Sequence, residues 1–303
     1  MNIIERIQDN FAKGFFGKSM QIPELPQEWP AWTLKQSDWI AVAVPINSYR
    51  PFSERFAHAK LVTEPGVQIN GVTYDILMLV CTNIELRDEF ATICSQFVEP
   101  GVDGILREQL ISSPEKWWDQ WRSLLGNAIS KSEPYPVLGE LIMLKKQLEA
   151  GKAVKWTGVE KGTHDLELDD CSIEVKSTTN RYGYEVTISS VYQLMPAGKP
   201  LRLAFLRFEK SSLGSSIDDT VEELIQLGYS ASALEMALTS EGLDKGCTAR
   251  SIRYKLIEAK QYIVDVGFPA ITEHSFKDDK LPENIIRFTY TVDLAGVSST
   301  QIK

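Results

Sequence analysis

Cys171-Ser172-Ile173-Glu174-Val175-Lys176-Ser177-Thr178 places a carboxylate and an amine on one side of an otherwise apolar, β-branched strand. Side chains in a strand alternate with period two, so Ile173 and Val175 face one way and Glu174 and Lys176 the other. By itself this is also the pattern of a charged edge strand. The preceding residues separate the two readings. His164-Asp165-Leu166-Glu167-Leu168 alternates in the same fashion, and Asp169-Asp170 leaves room only for a tight connection. Two strands so joined pair as an antiparallel hairpin, in which the start of the first lies beside the end of the second. Asp165 is therefore expected next to Glu174 and Lys176, on the face opposite Leu166, Ile173 and Val175.

Working outward, residues 136–148 form an apolar helix with Pro136 near its start and Gly151 just beyond its end. Glu140 stands between Val137, Met143 and Leu144 on or beside the apolar stripe, where an unpaired carboxylate is costly. A strand over 153–158 and the polar turn Glu160-Lys161-Gly162-Thr163 lead into the hairpin. Downstream come a strand over 184–188, a short Ser-capped helix over 189–194 and a buried strand over 201–208.

Glu140, Asp165, Glu174 and Lys176 thus converge, and phosphodiester hydrolysis needs such a set. Hard divalent cations take oxygen ligands, and carboxylates on rigid strands can hold one against a phosphate. The cation lowers the pKa of bound water and neutralises charge on the phosphoryl oxygens, while a lysine beside that water positions it.

The order helix-Glu, strand, strand-Asp, hairpin, Glu-Val-Lys, strand, short helix, strand resembles the PD-(D/E)XK superfamily, the restriction-endonuclease-like nucleases. The resemblance covers roughly residues 131–210 and rests on Gly139-Glu140-Leu141, His164-Asp165 and Ile173-Glu174-Val175-Lys176-Ser177-Thr178. It is similar above all to bacterial PD-(D/E)XK motif proteins from restriction and phage-defence neighbourhoods. The resemblance implies a mixed α/β fold with an αβββαβ core and places the nuclease core over 111–210; the strand and helix signals on either side give a β-rich N-terminal domain over 1–110 and an α+β region over 211–303. It implies Asp165, Glu174 and the backbone carbonyl of Val175 as ligands of Mg²⁺, with Mn²⁺ as substitute, Lys176 as catalytic lysine, and Glu140 as the helix acid that assists. Gln193 would add a contact to substrate or water. The implied activity is metal-dependent endonucleolytic cleavage of DNA. The alternative is an inactive nuclease-fold subunit holding DNA or a partner in a defence complex. Implied partners are DNA and either a second copy or other defence-system proteins. His164 replaces the Pro that names the motif and, by alternation, points away from Asp165.

The remaining sequence sets bounds. Of 303 residues, 43% are apolar and 24% charged, the range of soluble globular chains. A net charge of -9 argues against a generally basic nucleic-acid-coating protein, although residues 131–210 are the least acidic part. Four scattered cysteines and three histidines form neither a zinc pattern nor a disulfide framework. No apolar run approaches a membrane span and the N-terminus lacks signal-peptide character, so a cytoplasmic location is expected. Residues 1–30, ending in Pro23, Pro26 and Pro30, read as a lead-in. Strands are expected over 39–44, 59–62 and 74–81 with a turn at Asn70-Gly71, then a helix over 86–97. Trp117 and Trp121, extended by Leu124 and Leu125, share the apolar face of a helix opened by Ser113-Pro114. Ser211 to Ser216 reads as a linker before helices over 218–227 and 232–238, strand character over 254–266 and a strand over 285–292.

Overall fold

The computed structural model describes residues 1–124, 133–158, 162–279, 282, 285 and 288–302. By packing, the chain forms two compact units, Met1–Lys131 with Asp244–Thr248, and Ser132–Leu243 with Ala249–Lys303. The divisions expected at 110/111 and 210/211 fall elsewhere. Trp118 of a helix past residue 110 belongs to the first unit's core, and one strand runs straight through residue 210.

The first unit is a six-stranded antiparallel sheet with helices on one face. It comprises α1 (Ile3–Lys13), β1 (Lys18–Gln21), β2 (Trp32–Lys35), β3 (Ile40–Pro45), β4 (Ser53–Phe56), β5 (Ala59–Ile69), β6 (Val72–Cys81), α2 (Arg87–Val98), α3 (Ile105–Ser112) and α4 (Pro114–Leu124). The strand order is β1-β2-β3-β6-β5-β4. Period-two alternation sends Ile40, Val42 and Val44 to the helix-covered core and Ala41 and Ala43 to a second cluster on the other face. Asn70 and Gly71 both have positive φ, the turn a two-residue hairpin requires between β5 and β6. The start of the chain is a folded element, contrary to the lead-in reading. Asn2 and Glu5 form a reciprocal capping box, and Ile7 and Phe11 of α1 are fully buried. Trp117 packs edge-on against Phe97 and tilts against Trp121, a packing role for the tryptophan stripe; Leu125, expected to extend it, lies outside the described residues.

The second unit comprises α5 (Tyr135–Glu149), β7 (Val154–Trp156), β8 (Leu166–Leu168), β9 (Ser172–Thr178), β10 (Glu185–Ile188), β11 (Leu201–Ser215), α6 (Ile217–Gln226), α7 (Ala231–Ser240), β12 (Tyr254–Val264), β13 (Tyr290–Asp293) and β14 (Thr300–Gln301). Its main sheet has the order β14-β12-β11-β9-β8-β7; β9 and β11 run parallel and the other pairs antiparallel. With seven α-helices among the described residues and both mixed and antiparallel sheets, this is the expected mixed α/β fold. Gly139 lets α5 lie close on β9: a Cβ there would stand 2.2 Å from Ser177 Oγ. The opposite face of β11 and β12 is covered by the β10–β13 ribbon, whose Val186, Ile188 and Val292 pack on Leu201, Leu203, Phe205 and Tyr262.

Three expectations are corrected here. Residues 191–194 form turns, not a helix: the side chains of Gln193 and Ser190 bond the backbone of Ser189 and Tyr192, and Pro196 stops propagation. Ser211 to Ser215 continue β11 rather than linking domains, since Gly214 allows near backbone contact with Tyr254 across a bulge. The strand expected over 285–292 covers only Tyr290–Asp293; Ile285 N–H donates to the Pro282 carbonyl, and Phe288 meets Phe276 edge-on and Tyr290 at a tilt. Ile286 and Arg287 of the expected strand, and Glu160-Lys161 of the expected turn, lie outside the described residues. Among the described residues, no helix is long and apolar enough to cross a membrane.

Candidate metal centre

The β8–β9 hairpin has the register read from the sequence, Leu166 opposite Ile173 and Glu167 opposite Ser172. Continuing it one step puts Asp165 opposite Glu174. Asp165 Oδ2 accepts a 2.7 Å hydrogen bond from the Val175 backbone N–H. Because the N–H and C=O of one strand residue point to the same neighbouring strand, the Val175 carbonyl lies on that edge too. The Val175 side chain is buried on the other face with Ile173 and Leu166.

Lys176 turns toward the acids. Its Nζ lies 2.8 Å from Glu174 Oε1 in an ion-pair contact that approaches off the hydrogen-bonding direction, leaving that buried oxygen without an aligned donor among the described residues. Its charge also acts on Asp165, which it pulls downward.

Glu140 arrives from α5. Its Oε2 accepts a 2.6 Å hydrogen bond from the indole N–H of Trp156, which is 3% exposed. Gly158 completes the junction: a Cβ there would stand 2.8 Å from both Asp165 Oδ1 and Glu140 Oε2, so the two carboxylates converge on one bare backbone position. Trp156 and Gly158 were not singled out in the sequence, although an indole at the end of a strand facing a misplaced helix acid is the type of donor such a carboxylate requires.

The electrostatics follow from crowding. Burial, then the Asp165 charge, pushes the Glu174 carboxyl up to about 8. Burial and Asp165 also raise Glu140 well above the carboxylate range, against the Trp156 hydrogen bond. Burial raises Asp165 despite its bond from Val175 and the nearby Lys176. Three buried acids whose carboxyls are all raised by burial are a set whose charge a hard cation would offset. Among the described residues, no group of three or more His, Cys, Asp or Glu side chains is placed to hold a metal ion. The donor set therefore suits a cation held by two carboxylates, with backbone and water completing its shell.

Gln193, the remaining sequence candidate, lies outside this group, as does His164, which was expected to point away from Asp165. Gln193 Oε1 accepts from Ser189 N at 2.7 Å and so closes its own turn. His164 is buried with Nδ1 3.5 Å from Glu167 Oε1, and burial holds it below the usual imidazole range.

A helix acid, a hairpin acid and a Glu-Val-Lys strand, followed by a parallel neighbour strand, define the restriction-endonuclease-like class. Residues 51–295 match the family described as "Putative PD-(D/E)XK family member, (DUF4420)", and the chain belongs to that family. Members of the wider superfamily generally use divalent metals. No curated protein and no solved structure matches the chain.

Proposed function

We propose that this protein is a metal-dependent endonuclease that hydrolyses DNA phosphodiester bonds, acting in the cytoplasm in restriction or phage defence. The observation that carries the reading is the convergence of Glu140, Asp165, Glu174 and Lys176 at one end of the β8–β9 hairpin. Asp165, Glu174 and the Val175 carbonyl, assisted by Glu140, would hold Mg²⁺, which supplies water activation and charge neutralisation when bound. Lys176, kept beside Glu174, orients the attacking water and offsets charge growing on the phosphoryl oxygens. Trp156 fixes the carboxylate of Glu140, and the absence of a side chain at Gly158 leaves space between Glu140 and Asp165. No side chain need become covalently attached, because the chain offers a water-positioning lysine rather than an activated nucleophile at this point.

Cleavage of plasmid DNA with Mg²⁺ or Mn²⁺ tests the reading. Wild-type protein is expected to nick or linearise the plasmid, with Lys176→Ala and Asp165→Ala at least 100-fold slower. Equal activity in all three would overturn it.

A further inference from the structure

The loop that leaves the candidate strand β9 is held rigidly while displaying its two largest side chains to water. Arg207 of β11 donates to the carbonyls of Asn180 and Gly183, the second at 2.6 Å, and to Glu258 Oε2 at 3.2 Å. Its guanidinium lies 5.2 Å from the ring centres of both Tyr184 and Phe205, with 8% of the side chain exposed. Thr178 Oγ1 accepts from Asn180 N, and Gly183 has φ +83°, fixing both ends of the turn. Yet Tyr182 is 87% exposed and the Arg181 side chain 80% exposed. A clamp of this quality serves no packing purpose for these two side chains.

Behind the loop lies a cavity of about 790 Å³, within the size range of ligand clefts. Its wall is aromatic: Tyr254 meets Tyr135 at 5.9 Å and Phe208 at 6.4 Å, both edge-to-face, and its hydroxyl donates to Glu133. Cations stand at the rim. Lys210 is exposed and has no ion-pair partner among the described residues. Arg181 Nη2 lies 3.7 Å from Glu209 Oε1, and both side chains are exposed, a contact too weak to hold the guanidinium from a phosphate. Rings for bases and cations for phosphates are the recognition chemistry of a nucleic-acid strand. A protruding tyrosine stacks at least cost on a base whose face is already uncovered, since entering a duplex requires unstacking a base step. Thr179 is three residues past Lys176, about 10 Å along an extended chain, so a strand gripped here lies at the mouth of the site.

Resting on the endonuclease reading, we infer that Thr179–Gly183 and its cavity grip an unpaired stretch of DNA beside the scissile phosphate, Tyr182 stacking on a base and Arg181 and Lys210 meeting phosphates. The substrate class is then single-stranded or locally unpaired DNA rather than intact duplex.

The test is fluorescence anisotropy of the full chain in EDTA with labelled single-stranded DNA, the same sequence as duplex, and the matching RNA. Single-stranded DNA is expected to bind more tightly than duplex. Tyr182→Ala should weaken it roughly 5- to 100-fold and Tyr182→Phe should restore it. Arg181→Gln with Lys210→Gln should lower the salt slope by about 1.4. Tighter duplex or RNA binding, no binding at all, or an unchanged Tyr182→Ala affinity would overturn the proposal. Cleavage is read separately with Mg²⁺. Tyr182-dependent binding without cleavage refutes the endonuclease reading alone, whereas cleavage insensitive to Tyr182→Ala refutes the grip alone.

Discussion

Trp156 Nε1 donates to Glu140 Oε2 across 2.6 Å, tying a β7 indole to the α5 acid. The bond stabilises the charged form of a carboxylate that burial otherwise neutralises. Trp156→Phe keeps the buried ring and removes the donor. Mn²⁺ affinity measured by calorimetry at neutral pH should fall roughly 10- to 100-fold. The deficit should shrink as pH rises, because the lost bond acts by making the proton harder to displace. A uniform deficit at every pH would assign Trp156 to packing alone.

Gly158 stands where a methyl group would meet Asp165 Oδ1 and Glu140 Oε2 at 2.8 Å each. Gly158→Ala should separate the two carboxylates and lower Mn²⁺ affinity at least tenfold. The melting temperature in EDTA should change little, since the crowding falls on two side-chain ends.

The acid cluster makes stability depend on pH. Glu174 has its carboxyl raised from 4.5 to about 8, so the folded chain holds that proton more tightly than the unfolded one. Its contribution is complete below pH 4.5 and is lost as pH rises through about 8; Glu140 and Asp165 are shifted in the same direction. In EDTA, the melting temperature of the second unit should fall by roughly 5 °C or more between pH 5 and pH 8. Glu174→Gln should flatten that slope. Mn²⁺ should reverse it, because a cation binds the deprotonated form.

Arg250 is a structural counterpart, 1% exposed and bonded to Asp218 at 2.7 Å and to both oxygens of Glu235 at 2.6 and 2.9 Å. Removing it leaves these carboxylates facing each other across a cavity between α6 and α7. Arg250→Ala should cost about 3–5 kcal/mol in urea unfolding. Calorimetric Mn²⁺ affinity of the fraction that remains folded should be unchanged.

Much of this architecture is legible in the chain because alternation leaves little choice. Leu166, Ile173 and Val175 must face inward, and the Asp169-Asp170 connection then dictates the partner of Asp165. Harder to read was α1, where the Asn2 and Glu5 capping signal is followed by Pro23, Pro26 and Pro30, which suggest loose chain. β5 passes unbroken through Glu64-Pro65-Gly66 because a register shift absorbs what looks like a break. The helix expected over 189–194 lost to side-chain bonds made within the turn, which no apolar periodicity reports. Trp156 and Gly158 were invisible for another reason: their importance arises from meeting α5 in space, and neither carries a charge pattern of its own.

β9 is hydrogen-bonded to β8 on one edge and to β11 on the other, where Ser172 through Thr178 pair with Leu201 through Arg207. A slip of one residue would send Glu174 and Lys176 to the side of Ile173 and break every one of those pairings together. Alignment of the acids is therefore inherited all-or-none from assembly of the sheet. A preparation of low specific activity should contain a mixture of fully working and dead molecules rather than a population uniformly slowed.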